Sequence, residues 1–185
     1  RFTVKISGSK PRNLLFGLMA MTMFASMLMS NTATTAMVIA SIMPLLAALD
    51  RNSGFTRAVL LGIPIAAATG GMGTIIGTPP NAIAVGVLEN AGFSIGFIDW
   101  MKFGVPVALA LTAISYVVLS RRFLHDNTPL SLTFMKNQNT IVSDGFILQR
   151  RIVSGVIIVT VALWLTTEIH GITVAAICAA PLTML

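Results

Sequence analysis

The sequence predicts an all-α, polytopic membrane protein, and three observations carry that reading. Of the 185 residues, 55% are hydrophobic and only 10% charged, whereas a soluble domain carries about 25% charged residues. Two long stretches, 13–49 and 58–88, contain no Asp, Glu, Lys, Arg or His, and each exceeds the roughly 20 residues that cross a bilayer as a helix. The Lys and Arg residues behind the net charge of +6 sit in short connections between apolar runs, where they set orientation in a membrane. They form no patch interleaved with aromatic residues, so the expected partner is a lipid bilayer and not nucleic acid.

The elements follow in order. Residues 1–12 are polar and basic and form a cytoplasmic or interfacial lead-in. The chain opens on Arg1 and closes inside an apolar run, the expectation for a piece cut at both ends from a longer protein, so no signal peptide can be judged. Residues 13–49 repay arithmetic. As one helix these 37 residues would run about 55 Å, against a hydrocarbon core of about 30 Å. Two complete spans need about 40 residues and a turn. A re-entrant hairpin of two shorter helices fits better, and the midpoint is Asn31, inside Ser30-Asn31-Thr32.

A charged link, 50–57, follows. Residues 58–88 are broken by Gly70, Gly71, Gly73, Gly77, Pro79 and Pro80, which predicts a discontinuous transmembrane helix. Glycines permit unusual dihedrals, and prolines remove donors and restart helices. Residues 89–102, with Asp99 and Trp100, read as interfacial. With the transmembrane helix 103–119 they complete the unit 58–119. Residues 120–150, which include His125, form a cytoplasmic connector. Residues 151–185 contain a helix over 152–166, a turn around His170 and the start of a further helix at Gly171. Both flanks of the hairpin are basic, with Lys5, Lys10 and Arg12 before it and Arg51 and Arg57 after it. Both therefore belong in the cytoplasm. Two complete spans would also return to that side, so length and polarity carry the choice of a hairpin.

A turn at membrane depth leaves backbone groups unpaired at two helix ends, which lipid does not tolerate unless protein or water satisfies them. Ser30, Asn31, Thr32, Thr34 and Thr35 supply side-chain oxygens and an amide there, and Ser26 lies one helical turn before Ser30 on the same face. The triplet can also cap the second arm, whose positive end favours an anion. The second break, from Gly70 to Asn81, predicts two half-helices joined by an unwound segment with free carbonyls. Such discontinuities are where secondary transporters hold ions and substrates. Packing of small and hydroxyl residues is the plainer reading; it accounts for one break more readily than for two in succession, each with an Asn and several hydroxyls. Neither stretch contains a titratable side chain, and proton coupling usually uses one. Hydroxyl, amide and carbonyl oxygens suit a hard cation such as sodium, and a neutral cage that holds sodium attracts an anion.

The segments SNTATTAMVIASIMPLL (Ser30 to Leu46), GGMGTIIGTPPNAIAVG (Gly70 to Gly86) and LWLTTEIHGI (Leu163 to Ile172) resemble the divalent anion:sodium symporter family, which carries dicarboxylates, citrate or sulfate. The triplet alone is a weak signal; followed by GTPPN at Gly77 it is specific. The resemblance implies an inverted-repeat, elevator-type transporter, a homodimer in a bacterial cytoplasmic membrane, with a small divalent anion as cargo. Sodium is its coupling ion and there is no other cofactor. It implies that Ser26, Ser30 and Asn31 offer side-chain oxygens to sodium and Gly77 a backbone carbonyl. Asn31 and Thr32 would contact a substrate carboxylate, while Thr74, Thr78, Pro79, Pro80 and Asn81 shape the loop. The family has a second such hairpin and unwound loop, and the sequence stops before either. The resemblance therefore implies half a site, with 120–150 joining the repeats and 151–185 opening the second.

Competing functions fare less well. An arsenite or sodium/proton carrier shares the broad architecture, but the GTPPN loop speaks against it; an anion exchanger without sodium coupling stays open. An intramembrane protease needs a Gly-x-Ser-Gly nucleophile, and Ser154-Gly155 follows Ile152-Val153, so no enzyme is expected. A purely structural subunit has no need of two polar breaks. Trp100 and Trp164 are expected as interfacial anchors, Met19, Met21, Met23, Met27 and Met29 as packing for a hairpin arm, and Cys178 as a small buried hydrophobe.

Overall fold

The computed structural model describes residues 10–50, 53–124, 144–166, 169 and 177. The lead-in before Lys10, His125, the turn around His170, the helix from Gly171 and Cys178 lie outside the described residues. Six helices are described: α1 (Pro11–Ser26), α2 (Asn31–Ala47), α3 (Gly54–Gly71), α4 (Pro79–Asn90), α5 (Phe97–Phe123) and α6 (Asp144–Leu165). There is no strand among the described residues.

The charge-free stretch 13–49 divides at the polar triplet. Pro11 opens α1 at a position where its missing N–H costs nothing. The Ser30 side chain caps α2 by accepting from the Ala33 N–H at 3.3 Å. The arms have 16 and 17 residues, so each runs about 25 Å, less than the hydrocarbon core.

Helix α3 is the hub, with α1, α2 and α5 against it. Leu14, Leu15, Leu18, Met19 and Met23 of α1 interlock with Ala58, Val59, Ile63 and Ala66 of α3. Small residues on α3 let α1 approach closely; a Cβ on Gly70 would strike the backbone of Met23. The early methionines split accordingly, with Met19, Met23 and Met27 buried and Met21 and Met29 exposed. Helices α3 and α5 are long and apolar enough to cross a membrane. Helix α5 leaves Phe103, Val107, Ile114 and Val118 exposed, a surface suited to lipid and not to water.

Helix ends overrun the apolar runs. Helix α5 spans Phe97 to Phe123, and α6 starts at Asp144, well before the apolar run that opens at Ile152. A backbone hydrogen bond needs no apolar side chain, so hydropathy marks where lipid begins and not where a helix begins. Asp99 accordingly sits in the first turn of α5, where it accepts from the Gly96 N–H at 3.4 Å and pairs with Lys102 at 2.7 Å. A carboxylate at a helix N-terminus is favoured by the helix dipole.

Candidate functional site

The turn between α1 and α2 lies beside the segment 72–78 that separates α3 from α4. Ser26, the last residue of α1, is fully buried. Its hydroxyl oxygen is 2.7 Å from Asn31 Oδ1 and 2.8 Å from the Ala67 carbonyl oxygen. A hydroxyl has one proton, so only one of these contacts can be a hydrogen bond it donates. The other sets two oxygens face to face. Either the Asn31 amide turns its NH2 toward Ser26, or a cation is shared among the oxygens.

Gly71 is where the two breaks meet. A Cβ there would strike Asn31 Oδ1 and would lie 2.6 Å from Thr78 Cγ2, while a Cβ on Gly77 would strike the Gly71 carbonyl. The hairpin tip, the end of α3 and the end of the unwound segment therefore crowd one backbone position that admits only hydrogen. Thr74 joins the same parts by donating its hydroxyl to the Met27 carbonyl in the hairpin turn and accepting from the Gly77 N–H at 3.1 Å.

Part of the unwound backbone is satisfied internally. Asn81, buried at the start of α4, donates both amide hydrogens, to the Gly71 carbonyl at 2.8 Å and the Thr74 carbonyl at 2.7 Å. Trp100 Nε1 donates to the Met72 carbonyl at 3.0 Å, so this expected interfacial anchor clasps the loop. Ile75 plugs into a second small core with Val85, Phe97 and Trp164, where Trp164 stacks on Phe97 at 5.8 Å. These contacts leave the carbonyls of Gly73, Ile75, Ile76 and Gly77 without a hydrogen-bond donor among the described residues.

The two helix starts differ electrostatically. Among the described residues, the N–H groups of Asn31 and Thr32 at the start of α2 have no acceptor, and Ser30 and Thr32 are exposed. That end presents donors. Helix α4 begins with Pro79 and Pro80, which have no N–H to present, so free carbonyls dominate its approach. The described residues include no group of three His, Cys, Asp or Glu side chains that could hold a metal ion. A cleft of about 440 Å³ beside α5, lined by Met72, Asn81, Trp100, Phe103 and Val107 among others, is too apolar to hold an anion.

The structure thus brings Ser26, Asn31, Thr74, Thr78, Gly77 and Asn81 to one locus, with Ser30 and Thr32 on its exposed side. Sequence position marks Gly71 only as part of a helix break, and it marks neither the Ala67 carbonyl nor Trp100 as part of the site. Helical spacing offers a signal for Ala67, one turn before Gly71 on α3; none offers itself for Trp100.

Residues 1–185 match the citrate transporter family. An uncharacterized transporter of Haemophilus influenzae is 40% identical over 104 residues, 55% of this chain and 22% of that protein. A low-affinity phosphate transporter of Saccharomyces cerevisiae is 29% identical over 166 residues, 89% of this chain and 18% of that protein. A sodium-dependent dicarboxylate transporter of Staphylococcus aureus is 27% identical over 183 residues, 89% of this chain and 34% of that protein. The chain thus spans about a third or less of the length of these relatives.

Proposed function

The chain belongs to the citrate transporter family, and from that premise we propose that it forms part of a secondary active transporter coupling sodium entry to uptake of a divalent anion. The observation that carries the proposal is the convergence of Ser26 Oγ, Asn31 Oδ1 and the Ala67 carbonyl with one hydroxyl proton among them. Sodium shared by these oxygens, with the Gly77 carbonyl nearby, removes the repulsion between them. The charge it brings, together with the N–H groups opening α2, makes the exposed Asn31–Thr32 side attractive to a dianion.

In this reading α1 and α2 form a re-entrant hairpin, α3 to α4 a discontinuous transmembrane helix, and the pair one half of an inverted-repeat, elevator-type site in a homodimer. A bacterial cytoplasmic membrane is the proposed location. A C4-dicarboxylate, citrate or sulfate is the proposed cargo. Similarity to a sodium-dependent dicarboxylate transporter supports the first, and similarity to a yeast phosphate transporter supports phosphate as a second reading.

The test is uptake of labelled succinate, citrate, sulfate and phosphate by the full-length transporter, with and without a sodium gradient. One dianion is expected to accumulate only with sodium. Accumulation driven by a proton gradient in the absence of sodium would remove the coupling ion and leave the family intact.

A further inference from the structure

Thr34 stands apart from every other buried hydroxyl among the described residues. Its side chain is 2% exposed, yet its Oγ1 has no hydrogen-bond partner. A buried hydroxyl on a helix commonly donates back to the carbonyl four residues earlier. Thr22 does so to Leu18 at 2.7 Å, Thr69 to Ile65 at 3.0 Å and Thr160 to Val156 at 2.8 Å. The carbonyl Thr34 would use is that of Ser30, which takes the Thr34 N–H at 3.0 Å and nothing from its hydroxyl.

Position says what the hydroxyl is for. Thr34 is three residues after Asn31 on α2, so the two share a face, and side chains on a helix lean toward its N-terminus. That lean carries the Thr34 hydroxyl back toward the tip, where Asn31 meets Ser26. An unpaired buried hydroxyl is costly, and a Val in its place would keep the volume and remove that cost. We propose that Thr34 Oγ1 is a further ligand of the cation site at the hairpin tip, held unpaired by the fold until the ion arrives.

This rests on the sodium reading above, and the test separates the two. Full-length wild type, Thr34→Val and Thr34→Ser are purified, and thermal unfolding is followed over a sodium titration with potassium holding ionic strength constant. A ligand that binds only the folded state raises the melting temperature. Wild type is expected to rise with sodium. Thr34→Val is expected to melt no lower than wild type without sodium and to need about tenfold more sodium for the same rise, the loss of roughly one good ligand. Thr34→Ser, which keeps the oxygen, is expected to stay near wild type. An unchanged sodium titration in Thr34→Val overturns the role of Thr34 alone, as does an equal weakening in Val and Ser. No sodium response in wild type overturns the sodium reading itself. If Thr34→Val does not yield folded protein, the Thr34 assignment fails, because a hydroxyl that merely lacks a partner is replaced by Val without loss.

Discussion

At the scale of single residues, the site is an arrangement of neutral oxygens and two asparagines with different tasks. Asn31 reaches Ser26 with its carbonyl oxygen, while Asn81 uses its amide hydrogens to clip the carbonyls of Gly71 and Thr74. Asn31→Ala in the full-length transporter is expected to abolish sodium-driven uptake while leaving membrane insertion intact, read by uptake beside a surface-expression blot; normal uptake with normal sodium dependence would contradict the site. Asn81 should separate differently. Asn81→Ala leaves the buried Gly71 carbonyl unpaired, at about 1–3 kcal/mol, and leaves the Thr74 carbonyl with only the Gly77 N–H at 3.3 Å. Asn81→Asp should cost more, because a carboxylate only accepts and here faces two further acceptors. Melting temperatures of the purified proteins should therefore rank wild type, then Ala, then Asp, and an Asp variant as stable as wild type would show that the clip is unimportant. Asn31 and Ser26 were legible in the sequence because a polar side chain inside an apolar run must find a polar partner or a ligand. The Ala67 carbonyl was not, since a backbone oxygen leaves no mark on residue type, and Trp100 was read as an interface anchor because its partner, the Met72 carbonyl, is equally silent.

At the scale of elements, the hairpin and the unwound segment are one unit joined through Gly71 and Thr74. Helix α3 delivers its C-terminus to the hairpin turn because its small face lets α1 come within backbone distance. A methyl group on Gly71 must displace Asn31 or Thr78, and Gly71→Ala is expected to raise the sodium concentration for half-maximal uptake by tenfold or more, about 1.4 kcal/mol or above. The contrasting change is Gly86→Ala on α4, where a Cβ would meet nothing within 4 Å. There the same substitution should stabilise by about 0.5–1 kcal/mol through helix propensity and leave the sodium titration unmoved. Equal effects at the two glycines would argue against a crowded junction at Gly71. The division of 13–49 at the triplet and the break after Gly71 followed from length, glycines and prolines. The true extents of α5 and α6 did not follow, since both continue past their apolar runs into sequence whose polarity says nothing against a helix.

At the scale of the whole molecule, the question is how the hairpin sits in the bilayer. Its arms are shorter than the hydrocarbon core, and its flanks carry the basic residues that mark the cytoplasmic side. Charge would be the same for two complete spans, so depth must be measured at the tip. Lys10, Ser30 and Glu89 are all exposed and offer three positions for single cysteines in a background with Cys178→Ser and no other thiol. A bulky, membrane-impermeant maleimide added to intact cells should react readily with E89C, in the last turn of α4, and not with K10C, which should react only in inverted vesicles. A re-entrant hairpin holds position 30 at mid-depth, so S30C should react from outside far more slowly than E89C. Two complete spans would bring S30C into external water, where it should react as fast as E89C. The ratio of those two rates therefore decides whether Ser30-Asn31-Thr32 is the floor of a transport site or the tip of an outside loop.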